Sequence, residues 1–165
     1  MMAHSGFDFF IHVDKKIDIT PYLYLLNFPN VFLIKNRVEV RWAGYNTILA
    51  TFRCIQEICG AGKKYDYINL LSGQDYPLKS ADYIIDFFEK NKGKEFLSYK
   101  DYVHEWPEGL HRVRRHSLVN FPFKRKHFLE SVLNRVLPAR SVPHGYHPYG
   151  GSMFWMLSPE CALYV

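Results

Sequence analysis

A chain of 165 residues with 48% hydrophobic and 22% charged residues can bury one core, which excludes a disordered polymer and fits a single domain. No stretch approaches the roughly 18 apolar residues that cross a bilayer, and Met1-Met2-Ala3-His4 has neither the charged nor the apolar region of a signal peptide, so a cytoplasmic chain is expected. The net charge of +5 favours anionic partners and is compatible with peripheral membrane association.

In chain order, Phe7 to Val13 reads as a strand ending at Asp14-Lys15-Lys16. Val31 to Ile34 and Val38 to Val40 are further strand candidates, bracketed by Pro29-Asn30 and Asn36. Tyr45 to Cys59 is amphipathic, with Ile48, Leu49, Phe52, Ile55 and Ile58 on one helical face and Gly60 and Gly62 stopping it. Cys54 and Cys59 lie in that pattern and Cys161 stands apart. Three cysteines without metal spacing read as reduced core thiols. Tyr65 to Leu71 is a compact apolar run, a central strand, followed by the loop Ser72 to Pro77. Ser80 is an N-cap for a helix that buries Tyr83, Ile84, Phe87 and Phe88.

Glu95 to Tyr99 reads as another strand. The surplus charge gathers in His111-Arg112-Val113-Arg114-Arg115-His116 and Lys124-Arg125-Lys126, either as clusters that attract phosphate or as solvated basic faces. No RNP, zinc-finger or helix-turn-helix pattern accompanies them, so nucleic acid is not an expected partner. Phe128, Leu129, Val132, Leu133, Val136 and Leu137 form a helical stripe, Met153 to Leu157 a strand, and Ser158-Pro159-Glu160 opens a last helix with proline in its tolerated first turn. Alternating strands and helices make this an α/β chain, with polar loops at strand ends where open α/β sheets bind ligands. The aromatic content of 17% supplies either a bulky core or stacking surfaces for sugars and bases.

Four segments join small or polar residues to apolar strands: Phe10 to Lys16, Arg41 to Asn46, Asn69 to Lys79, and Gly150 to Trp155. A carboxylate at a strand end, as at Asp14, can accept hydrogen bonds from a ribose or uracil. Gly73 and Gly150-Gly151 let a ligand approach the backbone closely. Asp75 can take a proton from a sugar hydroxyl, or it can cap backbone N–H groups of its own loop.

In this order and spacing the segments resemble the core-2/I-branching β-1,6-N-acetylglucosaminyltransferase family, which includes the peptide xylosyltransferases. The family shows I-H-x-D-x-K, a W-G-G-like turn opening a helix, the block I-N-L-S-x-x-D-Y-P-[IL]-[KR]-[ST], and a later G-S-x-[WFY] strand. Asn69 to Ser80 carries the most specific match, and the likeness runs from Phe9 to Val165. It implies an A-type glycosyltransferase fold, a Rossmann-like mixed sheet flanked by helices. It also implies inverting transfer of N-acetylglucosamine or xylose from a UDP-sugar to a hydroxyl of a glycan or glycoconjugate acceptor. The resemblance places His12, Asp14 and Trp42 at the nucleotide. Ser72, Gly73, Gln74, Gly151 and Ser152 would line the sugar and acceptor, with Arg112 and Arg115 near acceptor-contacting positions. No Asp-x-Asp occurs, and the family neutralises the diphosphate with basic side chains, so neither a metal nor any other cofactor is expected.

By that comparison residues 1–165 form a single partial domain, truncated at both ends. The family's opening strand is reduced to Ala3-His4, and the core-2 catalytic Glu and the diphosphate-clasping Arg and Lys fall beyond Val165. Asp75 is then the candidate base, on the pattern of the xylosyltransferase branch. The alternative is an inactive fragment or a non-catalytic nucleotide- or carbohydrate-binding module.

Overall fold

In the computed structural model, which describes residues 4–164, the apolar run after Gly6 forms strand β1 (Phe9–Ile11), paired in parallel with β2 (Val31–Leu33). Ala3 of the Ala3-His4 stub and the terminal Val165 lie outside the described residues. Phe10 stacks on Phe32 with ring centroids 4.9 Å apart, so the pairing is held by side chains as well as by backbone. Asn30 fixes where β2 starts. Its buried side-chain amide donates to the carbonyls of Phe7 (2.6 Å) and His4 (3.3 Å), while its backbone carbonyl accepts from the N–H of Phe9 (2.8 Å).

A parallel pair needs a long crossover, usually an α-helix. Here it contains a 3-10 helix, Thr20–Asn27, with Pro21 in its first turn. Sequence pattern did not reveal it: Tyr-Leu-Tyr-Leu-Leu is apolar throughout, and only Leu25 is buried. The predicted strand Val38–Val40 is also corrected. Its backbone groups are taken by side chains and a turn, leaving no ladder: Val38 N–H donates to His12 Nε2 (2.9 Å), Glu39 C=O accepts from Asn46, and Val40 C=O accepts from Lys16 Nζ.

Helix α1 (Tyr45–Cys59) has the predicted bounds. Ile55 is buried and Phe52, Ile58 and Cys59 pack with it, but Ile48 is half-exposed and Ala50 takes its place inside. Strand β3 keeps only Ile68–Asn69 of the predicted run. Helix α2 (Ala81–Lys90) starts at Ser80, whose Oγ accepts from the N–H of Tyr83. Its inward face is Ile84, Ile85 and Phe88; Tyr83 is more than half exposed, and Phe87 reaches Phe88 and Phe96 only with its ring.

Strand β4 (Phe96–Asp101), a short 3-10 turn (Pro107–Gly109), α3 (Leu110–Arg114) and α4 (Lys126–Val136) follow. Strand β5 (Tyr149–Leu157) begins four residues earlier than predicted, and α5 (Pro159–Tyr164) is capped by Ser158 Oγ on the N–H of Cys161. The α4 stripe forms, but Phe128, Leu129, Val132, Val136 and Leu137 are all exposed.

These elements make a mixed α/β fold with small parallel and antiparallel sheets flanked by helices, divided into two units. The larger holds the described residues up to Phe96 and those from Phe154 onward. Its core joins Ile55 of α1, Ile68 of β3, Leu157 of β5 and Ala162 of α5. The smaller, Leu97–Met153, contains α3, α4, the start of β5 and all but the first residue of β4. Among the described residues no helix is long and apolar enough to cross a membrane. Cys54, Cys59 and Cys161 are free, and burial pushes the Cys54 thiol up to about 11.

The predicted central sheet is divided. The β1–β2 pair is one sheet, while β5 pairs antiparallel with β3 at its end and lies beside β4 at its start. Side chains bridge the gap within the larger unit. Asp8 accepts from Lys63 Nζ (2.8 Å) and Tyr65 OH (2.7 Å), and Tyr65 stands edge-on to Phe10. Burial raises the Asp8 carboxyl pKa, but the Lys63 and Tyr65 hydrogen bonds outweigh it and leave the group below its ordinary range. Asp8→Asn should therefore cost about 1–3 kcal/mol, the usual loss for a buried charged hydrogen-bond partner. A lowered urea midpoint with unchanged slope would show it, and a midpoint equal to wild type would refute the bridging role.

Candidate functional site

The Asp14 turn is built by its own carboxylate. Asp14 Oδ1 accepts from the N–H of Lys16 (3.0 Å), its carbonyl accepts from the N–H of Ile17 (2.9 Å), and Lys16 Nζ lies 3.4 Å from Oδ2. Burial raises the Asp14 pKa, yet the N–H groups of Lys16 and Val40 and the Lys16 ammonium hold it below the ordinary carboxylate value. His12 stands beside it with Nε2 accepting from Val38, so the neutral ring carries its proton on Nδ1. Burial, helped by the Arg37 charge, pushes His12 below its ordinary 6.5 against the opposing pull of Asp14 and Glu57.

What brings residues 36–39 to this turn is Glu57 on α1. Its carboxylate accepts from the N–H groups of Lys35 (2.9 Å) and Asn36 (2.8 Å) and from the Asn36 amide (3.0 Å). Between the two turns and α1 lies a cavity of about 690 Å³, lined by Lys15, Lys16, Arg37, Glu39, Leu49 and Arg53 among others.

Trp42 projects from the next turn, where the N–H of Gly44 donates to the carbonyl of Arg41, and its indole is 93% exposed. Ala43 there has φ 58°, a left-handed conformation that costs a side-chain-bearing residue about 1–2 kcal/mol. Buried Gly44 caps the start of α1.

The loop Ser72 to Pro77 is exposed throughout. Asp75 Oδ2 accepts from the N–H of Ser72 (2.5 Å), and the N–H of Asp75 returns a bond to Ser72 C=O (3.2 Å). One oxygen of the carboxylate thus closes the loop, while Oδ1 makes no hydrogen bond among the described residues. Gln74 N–H donates to Ser72 Oγ (3.3 Å), and a Cβ on Gly73 would meet nothing within 4 Å.

In the smaller unit, Gly150 lies under the ring of Tyr102, and Gly151 lies against the carbonyl of Ser98, so the close approach at each glycine is made by this chain itself. Ser152 follows in β5. The Arg112 guanidinium sits 5.0 Å from the Trp106 ring centroid. Arg115 lines a separate cavity of about 700 Å³ with Arg114, Arg135, His111 and Leu137. Each unit thus gathers its own part of the expected set: His12, Asp14, Trp42 and Ser72 to Asp75 in the larger, Arg112, Arg115, Gly151 and Ser152 in the smaller.

The family model of the Core-2/I-Branching enzymes matches residues 1–165. This chain belongs to the core-2/I-branching enzyme family. Among its relatives, Xylosyltransferase oxt of Drosophila pseudoobscura pseudoobscura is 32% identical over 95 residues, 54% of this chain and 10% of that protein. Xylosyltransferase 2 of Rattus norvegicus is 25% identical over 175 residues, 98% of this chain and 18% of that protein. A Danio rerio beta-1,3-galactosyl-O-glycosyl-glycoprotein beta-1,6-N-acetylglucosaminyltransferase 4 is 24% identical over 141 residues, 84% of this chain and 31% of that protein. The chain therefore spans between 10% and 31% of the length of these relatives.

Sequence reasoning about this family member passed over several groups. Lys15 and Lys16 stand inside the I-H-x-D-x-K pattern but were given no role, and Arg37 and Arg53 were not singled out. Arg53 lies four residues after Leu49 on α1, a helical spacing that could have pointed to it. Asp101 was also missed: it accepts from the N–H of Val103 (2.6 Å) and pairs with His147 Nε2 at 2.8 Å. Burial raises its pKa, but these bonds prevail and lower it.

Two outcomes test this geometry. The unfolded chain protonates His12 near its ordinary 6.5, and the folded chain only at lower pH. The stability that the neutral ring contributes is thus complete above 6.5 and lost as pH falls through the depressed value. Denaturant midpoints of the wild type should fall over that window. In His12→Gln, which keeps an acceptor for Val38, that slope should flatten; an unchanged slope would refute the assignment.

The glycines separate packing from binding. Gly151→Ala should lose about 1–3 kcal/mol because its Cβ collides with Ser98. Gly73→Ala should stay within about 0.5 kcal/mol of wild type. Equal midpoints for the two variants would contradict the close approach at Gly151.

Proposed function

We propose that this chain handles the donor nucleotide in an inverting, metal-independent glycosyl transfer from UDP-N-acetylglucosamine or UDP-xylose to a hydroxyl of a glycan or peptide acceptor. The observation that carries the reading is the family match over residues 1–165, with the strand-end carboxylate of Asp14 held in a pre-formed turn. A carboxylate there accepts hydrogen bonds from ribose hydroxyls or the uracil N–H without reorganising. The relatives' names, xylosyltransferase and beta-1,6-N-acetylglucosaminyltransferase, supply the two donor sugars to test.

Inverting transfer requires a base to take the acceptor hydroxyl proton as that oxygen attacks the anomeric carbon. The bond from that carbon to the diphosphate oxygen breaks, and UDP leaves carrying the electron pair. Asp75 Oδ1 is the candidate proton acceptor. A second reading has support in the same residue. Asp75 Oδ2 is committed to Ser72, and a loop closed in this way suits a non-catalytic nucleotide- or carbohydrate-binding module equally well.

Calorimetry and product analysis separate the two. UDP should bind in the presence of a chelator, and Asp14→Ala should weaken it by about 1–3 kcal/mol, the value of a charged hydrogen-bond partner. Unchanged affinity would remove Asp14 from the nucleotide site. UDP release from either donor over a panel of glycan and peptide acceptors supports the transferase, and its loss in Asp75→Asn assigns the base. UDP binding without release supports the binding module.

A further inference from the structure

An amphipathic helix ordinarily buries its apolar stripe, and α4 does the reverse. Lys126, Glu130 and Asn134 recur every four residues and form its half-buried face. Lys126 Nζ donates to the Val119 carbonyl (3.4 Å), and Glu130 Oε2 accepts from the N–H of Leu118 (3.5 Å). The Asn134 side chain accepts from the N–H of His116 and donates to its carbonyl, each at 2.8 Å. Phe128, Val132 and Val136 recur at the same spacing on the other side, and they are 70%, 39% and 74% exposed. Just before the helix, Phe121 and Phe123 are exposed as well, with ring centroids 6.4 Å apart.

The same stretch carries an excess of cations. Glu130 is the one acid between Gly109 and Met153, a segment that holds the basic runs Arg112 to Arg115 and Lys124 to Lys126, with Arg135 and Arg140. Among the described residues, no carboxylate lies within ion-pair distance of Lys124, Arg125 or Arg135. Lys124 and Arg125 precede the first turn of α4, and Arg135 stands three residues after Val132, at the border of the apolar stripe. An apolar strip rimmed by cations narrows the choice of occupant. A second copy docked face to face would set like charges against each other. A polyanion in water would meet the cations and leave the apolar side chains wet. A bilayer surface of anionic lipid offers headgroups to the cations and an acyl boundary to Phe and Val. The 11 residues of α4 extend roughly 16 Å, too short to cross a bilayer and long enough to lie along its interface.

We propose that α4 is an interfacial helix that docks this chain on an anionic lipid surface. Phe128, Val132 and Val136 enter the acyl boundary, and Lys124, Arg125 and Arg135 meet the headgroups. The inference is independent of the transfer reading, because it uses none of the residues assigned to nucleotide, sugar or acceptor.

Flotation of the full chain with lipid vesicles tests it. The chain should bind vesicles of equal parts phosphatidylserine and phosphatidylcholine, not phosphatidylcholine alone, and raised salt should weaken the binding. Phe128→Gln and Val136→Gln should each weaken it by about tenfold. Lys124→Gln combined with Arg125→Gln should weaken it by at least about tenfold, whereas Lys90→Gln, in α2, should leave it unchanged. All these side chains are exposed, so the denaturant midpoints of the variants should match the wild type. In Phe128→Trp, indole emission on the anionic vesicles should shift to the blue relative to wild type, as entry into the acyl boundary requires. No flotation with the anionic vesicles overturns the proposal. Flotation that Phe128→Gln and Val136→Gln leave intact also overturns it, because the contact then lies on another surface. Dimers in sedimentation velocity that Phe128→Gln dissociates would assign the face to a second copy and equally count against lipid.

Discussion

The larger unit depends on a carboxylate that is almost out of water. The Asp8 side chain is only 9% exposed, and among the described residues no backbone ladder ties the β1–β2 pair to β3. Registration of one sheet on the other falls to Asp8, Lys63 and Tyr65, with Lys63 also lying over the Phe32 ring at 5.4 Å. Lys63 remains half in solvent, so the ion pair is screened on one side, and the phenol hydrogen bond is the better sheltered contact. Burial and the adjacent Asp8 carboxylate push the Tyr65 pKa up, which keeps the phenol a donor to the ionised Asp8 at neutral pH.

The same economy shapes the candidate site. Around Asp14 the chain uses side chains where a sheet would use strands. His12 accepts from Val38, Lys16 caps Val40, Asn46 caps Glu39, and Glu57 satisfies the amides of residues 35 and 36. Each bond fixes one turn against another element without a continuous ladder. Val38 to Val40 belong to no ladder, and Val38 and Glu39 line the cavity there.

Much of the fold was legible because strong local signals agree with the tertiary structure. The bounds of α1 follow from its apolar period and Gly60, and the start of α2 from Ser80. Val38 to Val40 was misread because β-branched residues indicate an extended chain but not who pairs with it. The 3-10 helix was invisible because Tyr22 to Leu26 has no polar face to set a period. Gly150 and Gly151 suggested space for a ligand, but the Tyr102 ring and the Ser98 carbonyl stand against them, a tertiary fact that no local pattern carries. The Asn69 to Ser80 block was the clearest family signal, yet its central loop is exposed and closed by Asp75 on Ser72. Motif spacing shows that a carboxylate recurs there; it cannot show that half of it is used to hold the turn.

The two signs of charge in the Asp14 turn have a directional consequence. Asp14 presents acceptors, and Lys15 and Lys16 follow it at once, with Arg37 and Arg53 completing the cationic wall. On the proposed reading, a nucleotide has hydrogen-bond donors at one end and phosphates at the other, and the two signs of charge favour one orientation of it. Turned end for end, it would set phosphate oxygens against an ionised carboxylate and leave the cations facing hydroxyls. Lys16 pairs with Asp14 and offsets part of its charge, while Arg53 donates to the uncharged Gln56 amide. On the proposed reading, the ion pair between Asp14 and Lys16 is what lets one short turn accept the polar end of a nucleotide and its charged end side by side.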